Sequence, residues 1–196
     1  DPNTSISECN LTVLAEAPHL RLSFQDQVFE SSLFGSYNAV NCAAALSIGS
    51  YFEVPTADAI KGITDYVPSN MRSEIVHRGE QKILLDAYNA NPSSMASALR
   101  VFNELDWPHK GVILGDMFEL GPETAEEHQS IVDFVHSLGF EQVYLIGKHF
   151  TATQNENQTF MSTEDFISAL PEEVKNLNLL IKGSRGMALE RILDAL

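Results

Sequence analysis

Basic residues are scarce in this chain: 12 Lys and Arg stand against 27 Asp and Glu in 196 residues, a formal net charge of −15. A surface of that sign repels phosphodiester backbones, which argues against general nucleic-acid binding and leaves room for a small anion held by a few local cations. Cysteine is scarcer still. Cys9 and Cys42 make neither a disulfide framework nor a metal set, and the histidines show no ligand spacing with them, so no metal site is expected and a reduced, cytoplasmic setting is. Cys42, beside Ala43, Ala44 and Ala45, reads as a small core residue. No apolar run approaches the ~20 residues of a membrane span, and the opening DPNTSISECN lacks the basic and apolar regions of a signal peptide. The chain does not begin with Met and is read as a piece of a longer one. Three nucleotide or nucleophile motifs are missing: GxxxxGK[ST], GxGxxG and Gly-x-Ser-x-Gly. If ATP is handled, its main triphosphate cradle lies elsewhere.

What is present is a hydrophobic fraction of 44%, as in folded globular proteins. Residues 1 to 34 look β-rich, with Leu20–Phe24 and Val28–Phe34 flanking the polar turn Gln25-Asp26-Gln27 as a hairpin. Ser36 is a candidate cap for an Ala-rich helix from about Tyr37 to Tyr51, with Val40, Ala44, Leu46 and Ile48 as its expected buried face. A second helix follows Pro55-Thr56, and DYVPSN at 65 to 70 interrupts the pattern. From Arg72 the order becomes strand, strand, helix, then repeated strand–helix units up to a final helix from Gly186. That alternation predicts an α/β fold with a mostly parallel, Rossmann-like sheet covered by helices on both faces. The expected domains are 1–70 and 71–196.

Three strand-to-helix loops carry polar groups where a parallel sheet gathers ligands. In Ile83 to Ser94, ILLDAYNANPSS, an apolar run ends in Asp86, a polar loop follows, and Pro92 opens a helix. The residues Asp86 to Asn91 serve either a ligand or simple turn and cap chemistry. The loop Gly115 to Gly121, GDMFELG, holds Asp116 and Glu119. Paired carboxylates bind Mg²⁺ through water, do acid–base work, or cap the next helix. A structural role is expected for Glu119 and for His128, with Asp116 left open. The third loop, Lys182-Gly183-Ser184-Arg185-Gly186, is read as an anion site at a helix start, against the alternative of a solvated basic pair beside a turn.

These motifs line up with one family. Gly35-Ser36-Tyr37-Asn38-Ala39-Val40-Asn41-Cys42-Ala43-Ala44-Ala45 resembles the G-x-H-N-x-x-N-x-x-A-A pattern of the ATP-dependent muramyl (Mur) ligases, and Met71-Arg72 resembles the Arg that follows their central domain. DAYNANP from Asp86, GDMFELG and KGSR are most similar to the branch that adds D-alanyl-D-alanine to UDP-muramyl tripeptide. The resemblance implies that residues 1–70 are the end of a central ATP-binding domain and 71–196 the C-terminal domain. It implies ATP and Mg²⁺ as cofactors of the full-length enzyme, small-molecule substrates, a monomer, and a piece that cannot complete the reaction alone.

Carried over by motif, Asn41 would bond the adenine, Asp86 the ribose hydroxyls, and Arg72 the phosphates or ribose. Tyr88, Asn89 and Asn91 would line the reaction cleft, with Asn89 nearest the transferring phosphoryl group. Lys182, Ser184 and Arg185 would hold the dipeptide carboxylate. Tyr37 stands where the family pattern has His, and is not carried over. The competing reading is a stand-alone, non-catalytic nucleotide- or phosphosugar-binding α/β module.

Overall fold

The computed structural model describes residues 5–6, 10–15, 19–33 and 35–196. The chain divides into two compact units, Asp1–Pro68 and Ser69–Leu196. Cys9 and Phe34 lie outside the described residues, as does the side chain of Ser36.

The first unit has a four-stranded antiparallel sheet in the order β1 (Ser5–Ile6), β2 (Leu11–Ala15), β3 (Leu20–Phe24), β4 (Gln27–Ser31). Gln25 and Asp26 both have positive φ, 47° and 63°, the mirror-image turn whose twist suits a two-residue hairpin. Phe24 therefore pairs with Gln27, and β4 starts one residue earlier than the apolar pattern implies. Helices α1 (Ser36–Tyr51) and α2 (Thr56–Thr64) complete the unit. Leu11, Leu20, Leu22 and Phe24 of the sheet share one core with Ala39, Cys42, Ala43, Leu46, Ile60 and Ile63.

The expected face of α1 is corrected here. Leu46 is buried, but Val40 and Ile48 are 60% and 59% exposed, and Ala44 is exposed too. The helix is apolar nearly all round, so a 3.6-residue period cannot choose its inner side. Backbone approach decides it: Ala39, Cys42 and Ala43 are short side chains on the side that meets the sheet and α2. Burial pushes the Cys42 thiol up to about 11.

The second unit is built on a six-stranded sheet. Its strands are β5 (Glu74–Arg78), β6 (Gln81–Asp86), β7 (Lys110–Gly115), β8 (Gln142–Ile146), β9 (Gln158–Phe160) and β10 (Asn178–Lys182), in the order β5-β6-β10-β7-β8-β9. β5 pairs antiparallel with β6 across the Gly79-Glu80 turn, and all other pairings are parallel. The helices are α3 (Pro92–Glu104), α4 (Thr124–Leu138), α5 (Lys148–Thr151) and α6 (Thr163–Ala169). On one face Ile83, Ile113, Tyr144 and Ile181 meet Phe166 of α6 with Leu189 and Ile192 near the C-terminus. On the other α3 lies against β10 and α4. This is the mostly parallel, helix-covered α/β sheet that the strand–helix alternation predicts.

Two elements differ from expectation. The short apolar element around Phe160 is a true strand, pairing parallel with β8. The final helix from Gly186 is absent: Arg185–Met187 and Leu189–Asp194 are separate 3₁₀ turns, split by Ala188 in a left-handed conformation at φ 51°.

Candidate functional site

The order of strands in the second unit sets its chemistry. Each of β6, β7 and β10 runs into a polar loop, and β10 lies between the other two. Lys182, its last residue, is in register with Asp86 on one side and Leu114 on the other. The three loops read from sequence therefore meet along one edge, at the carboxyl ends of parallel strands where open α/β sheets bind ligands.

The first loop is held from two directions. Lys182 Nζ donates to Asp86 Oδ2 at 2.5 Å and to the Asn89 carbonyl at 3.2 Å, with its side chain 2% exposed. The Ser73 N–H donates to Asp86 Oδ1 at 3.1 Å, and the Tyr88 N–H to the Met71 carbonyl. Met71 and Ser73, on either side of Arg72, have φ of 55° and 53°. Non-glycine residues there carry strain, and persist only where surrounding contacts over-determine them. The Arg72 guanidinium lies over the Tyr88 ring, 3.8 Å from its centroid, and both side chains are exposed.

Asn91 is the N-cap of α3. Its side chain accepts from the Ser94 N–H at 2.9 Å while Ser94 Oγ accepts from the Asn91 N–H, a reciprocal capping box, and Pro92 occupies the first helical turn. Asn89 is exposed, and its side-chain oxygen accepts from the Ala90 N–H. Turn and cap chemistry thus account for Asn91, while Tyr88 and Asn89 remain presented at the edge.

The second loop is structural in its acid. Asp116 is 1% exposed, and its oxygens accept from the His149 and Phe150 N–H groups at 3.0 Å each, the start of α5. Gly147 makes this possible: at φ 121°, a Cβ on it would fall 2.2 Å from the Asp116 carboxyl carbon. His128 is buried beside Asp116. Nε2 accepts from the Met117 N–H at 3.0 Å, which puts the ring proton on Nδ1, donating to the Thr124 carbonyl at 2.6 Å. Burial lowers the His128 pKa from its ordinary value. Glu119, read as a cap, is exposed at φ 66° and caps nothing; α4 begins without a side-chain cap.

The third loop is tied to the second. The Ser184 N–H donates to the Asp116 carbonyl at 3.1 Å, and Ser184 Oγ accepts from the Phe118 N–H at 2.9 Å. Gly183 passes so close that a Cβ on it would lie 2.9 Å from Gly115 Cα. Ser184 is buried, with its hydroxyl proton still able to donate. Because only a 3₁₀ turn follows, the helix-dipole argument for an anion here fails, and what stays is the Arg185 side chain, 55% exposed. Its Nη1 lies 3.0 Å from Met71 Sδ and 3.9 Å from Glu190. The Lys182 cation points inward to Asp86, not outward as a solvated basic pair would require. Ser73 was not singled out in the sequence, and Met71 and Phe118 entered only as members of matched motifs, because no motif marks a backbone donor or a turn of unusual φ.

Asn41 belongs to the first unit. It is exposed on α1, and its side-chain N–H donates to Asn38 Oδ1 at 3.1 Å.

The family profile described as Mur ligase, glutamate ligase domain, matches residues 71–194. The chain belongs to the Mur ligase family. A curated relative from Bacillus subtilis, named UDP-N-acetylmuramoyl-tripeptide–D-alanyl-D-alanine ligase, is 29% identical over 92% of this chain and 42% of its own. A crystal structure of MurF from Acinetobacter baumannii superposes with a TM-score of 0.76 at 21% identity, over 90% of this chain and 41% of that one. MurF ligase from Thermotoga maritima in complex with ADP gives 0.74 at 19%, with 90% and 42% covered. The chain thus spans about two fifths of the length of these Mur ligases.

Proposed function

We propose that this chain is the rear part of an ATP-dependent Mur ligase that joins D-alanyl-D-alanine to UDP-N-acetylmuramoyl-tripeptide in peptidoglycan precursor synthesis. The observation that carries the reading is the convergence, at one sheet edge, of Asp86, the strained Arg72 turn and the exposed Arg185, in a chain aligned over most of its length with a relative of that name. The expected reaction moves the terminal phosphoryl group of ATP to the tripeptide carboxylate, releasing ADP. The dipeptide amine then attacks the acyl carbon, the bond to phosphate breaks, phosphate leaves and the amine loses a proton. Such chemistry needs anions and an amine held in line with water excluded.

In this reading Asn41 meets the adenine, Arg72 the phosphates or ribose, and Asp86 the ribose hydroxyls. A carboxylate has about four acceptor positions, so the two bonds Asp86 already accepts leave it able to take a diol. Tyr88 holds the Arg72 guanidinium, Asn89 faces the phosphoryl group, and Arg185 takes the dipeptide carboxylate with Ser184 beside it. Mg²⁺ fits this chain poorly. Among the described residues no group of three His, Cys, Asp or Glu gathers to hold a metal, and Asp116 is engaged by backbone N–H groups. Its ligands are therefore assigned outside these residues, and no step here passes through it.

The first unit supports the proposal independently. The outward face of α1 runs through Val40, Ala44, Ile48 and Tyr51, with Phe52 just beyond, an apolar strip that starts beside Asn41. An exposed apolar strip on a helix marks a surface that another element covers, and the remaining part of an ATP-binding domain would cover it. No helix among the described residues is long and apolar enough to cross a membrane. A cytoplasmic, monomeric enzyme is the accompanying expectation.

Sequencing, kinetics and binding each test this. Reading the coding sequence upstream of Asp1 should reveal an in-frame Gly-x-x-Gly-Lys-Thr/Ser loop. The complete protein should release ADP only when tripeptide and dipeptide are both supplied, and Arg185→Ala should raise the dipeptide KM about tenfold or more, the scale of one lost charge-assisted pair. An unchanged KM would remove Arg185 from the site. Micromolar nucleotide binding by this chain with no ligase activity in the complete protein would favour the non-catalytic module.

A further inference from the structure

Lys182, which the family resemblance assigns to the dipeptide carboxylate, is a buried cation turned toward Asp86. It is 2% exposed, enclosed at the end of the central strand β10, and has two acceptors: Asp86 Oδ2 at 2.5 Å and the Asn89 carbonyl at 3.2 Å. A carboxylate arriving from solvent would have to displace Asp86 to reach it. Asp86 in turn holds, through its other oxygen, the N–H of Ser73, which closes the turn that aims Arg72. The turn is conformationally costly at both Met71 and Ser73, so its shape depends on such external ties. One ammonium group therefore anchors the start of the Asp86–Asn91 loop, its middle at Asn89, and the Arg72 turn.

We infer that Lys182 is a positioning residue for the nucleotide side of the reaction, acting through Asp86 and the Asn89 carbonyl and not as a ligand of the incoming dipeptide. The inference deepens the ligase reading and rests on it. The register makes it specific: β10 is inserted between β6 and β7, and Lys182 is paired directly with Asp86, so a Lys at this position reaches that carboxylate without leaving the strand. Arg185, three residues on and exposed, is left as the cation open to a dipeptide.

The complete enzyme tests this by a split in its kinetic constants. Lys182→Met should lower kcat/KM for ATP by about 100-fold, the scale of a misplaced reacting group, while the dipeptide KM stays within about twofold. Because Lys182 acts largely through Asp86, the double variant Lys182→Met with Asp86→Asn should lose far less than the product of the two single losses. A rise in dipeptide KM with unchanged ATP kinetics would overturn the inference. A second measurement needs no variant. In the wild-type complete protein, reductive methylation followed by mass spectrometry should modify Lys182 far more slowly than the exposed Lys61, whether or not D-alanyl-D-alanine is present. Rapid labelling that the dipeptide suppresses would overturn the inference by itself. If wild-type protein shows no dipeptide-dependent ADP release, the ligase reading fails, an outcome separate from either arm on Lys182.

Discussion

Asp86 and Asp116 occupy comparable places in the chain: one ends and the other directly follows a buried apolar strand at the carboxyl edge of the same mostly parallel sheet. Their surroundings make them different groups. Asp116 has α5 packed onto it, accepts two backbone N–H bonds and is almost completely enclosed. Asp86 has the Lys182 side chain on one oxygen, a turn N–H on the other, and exposed Arg72 and Tyr88 close by in the same loops. A carboxylate satisfied by backbone amides is part of the fold, since removing it leaves buried donors without acceptors. One shared between a side-chain cation and a turn N–H at a sheet edge ties separate loops together. The neighbouring strand decides between the two, since β10 brings Lys182 to Asp86 and β8 leads through Gly147 into the α5 start that meets Asp116.

The contrast can be broken most severely at Asp116. Asp116→Ala should destabilise the chain by about 3 kcal/mol, the order expected for one buried and one half-buried N–H donor losing a charged acceptor, measured by urea unfolding. A loss below about 1 kcal/mol would mean that the α5 start finds other partners.

His128 sharpens the same region through pH. Its folded pKa is lowered by burial, so the unfolded chain binds the proton more readily. Its contribution to stability is complete above the unfolded value near 6.5 and is lost as pH falls from there toward the folded value. Unfolding curves between pH 7 and 5 should show that loss, and His128→Gln should flatten it. An unaltered pH dependence in the variant would put the effect on other groups.

Smaller again is Tyr144. Its hydroxyl is buried in β8 without a hydrogen-bond partner among the described residues, and burial raises its pKa. Tyr144→Phe should leave stability unchanged or raise it by up to about 1 kcal/mol; a marked loss in thermal unfolding would reveal an unrecognised partner. At the Asp86 edge, Tyr88→Leu should change stability by about 0.5 kcal/mol or less, as exposed substitutions do. In the complete enzyme it should nonetheless raise the ATP KM by freeing the Arg72 guanidinium. Equal ATP kinetics would leave Tyr88 as surface.

Much of this was legible along the chain. The apolar runs ending in Asp86, Gly115 and Lys182 gave the strands, Asn91-Pro92 gave a helix start, and the GDMFELG and KGSR loops carried the family resemblance. Alternation and cap chemistry are local, so neighbouring residues suffice to express them. The inner face of α1 was not legible, because Val40, Ala44 and Ile48 are as apolar as Ala39, Cys42 and Ala43. Nor was the replacement of the expected final helix by two 3₁₀ turns, since the left-handed residue between them is Ala188, neither glycine nor proline.

Sequence alone specified an acidic, two-part α/β chain with three polar loops at strand ends, since composition and period encode burial directly. Tertiary structure alone brought those loops together and gave each side chain its partner. Inserting β10 between β6 and β7 pairs residues 96 positions apart. Electrostatic partnership depends on such distances in space, and no local pattern records whether a lysine will face solvent or an aspartate.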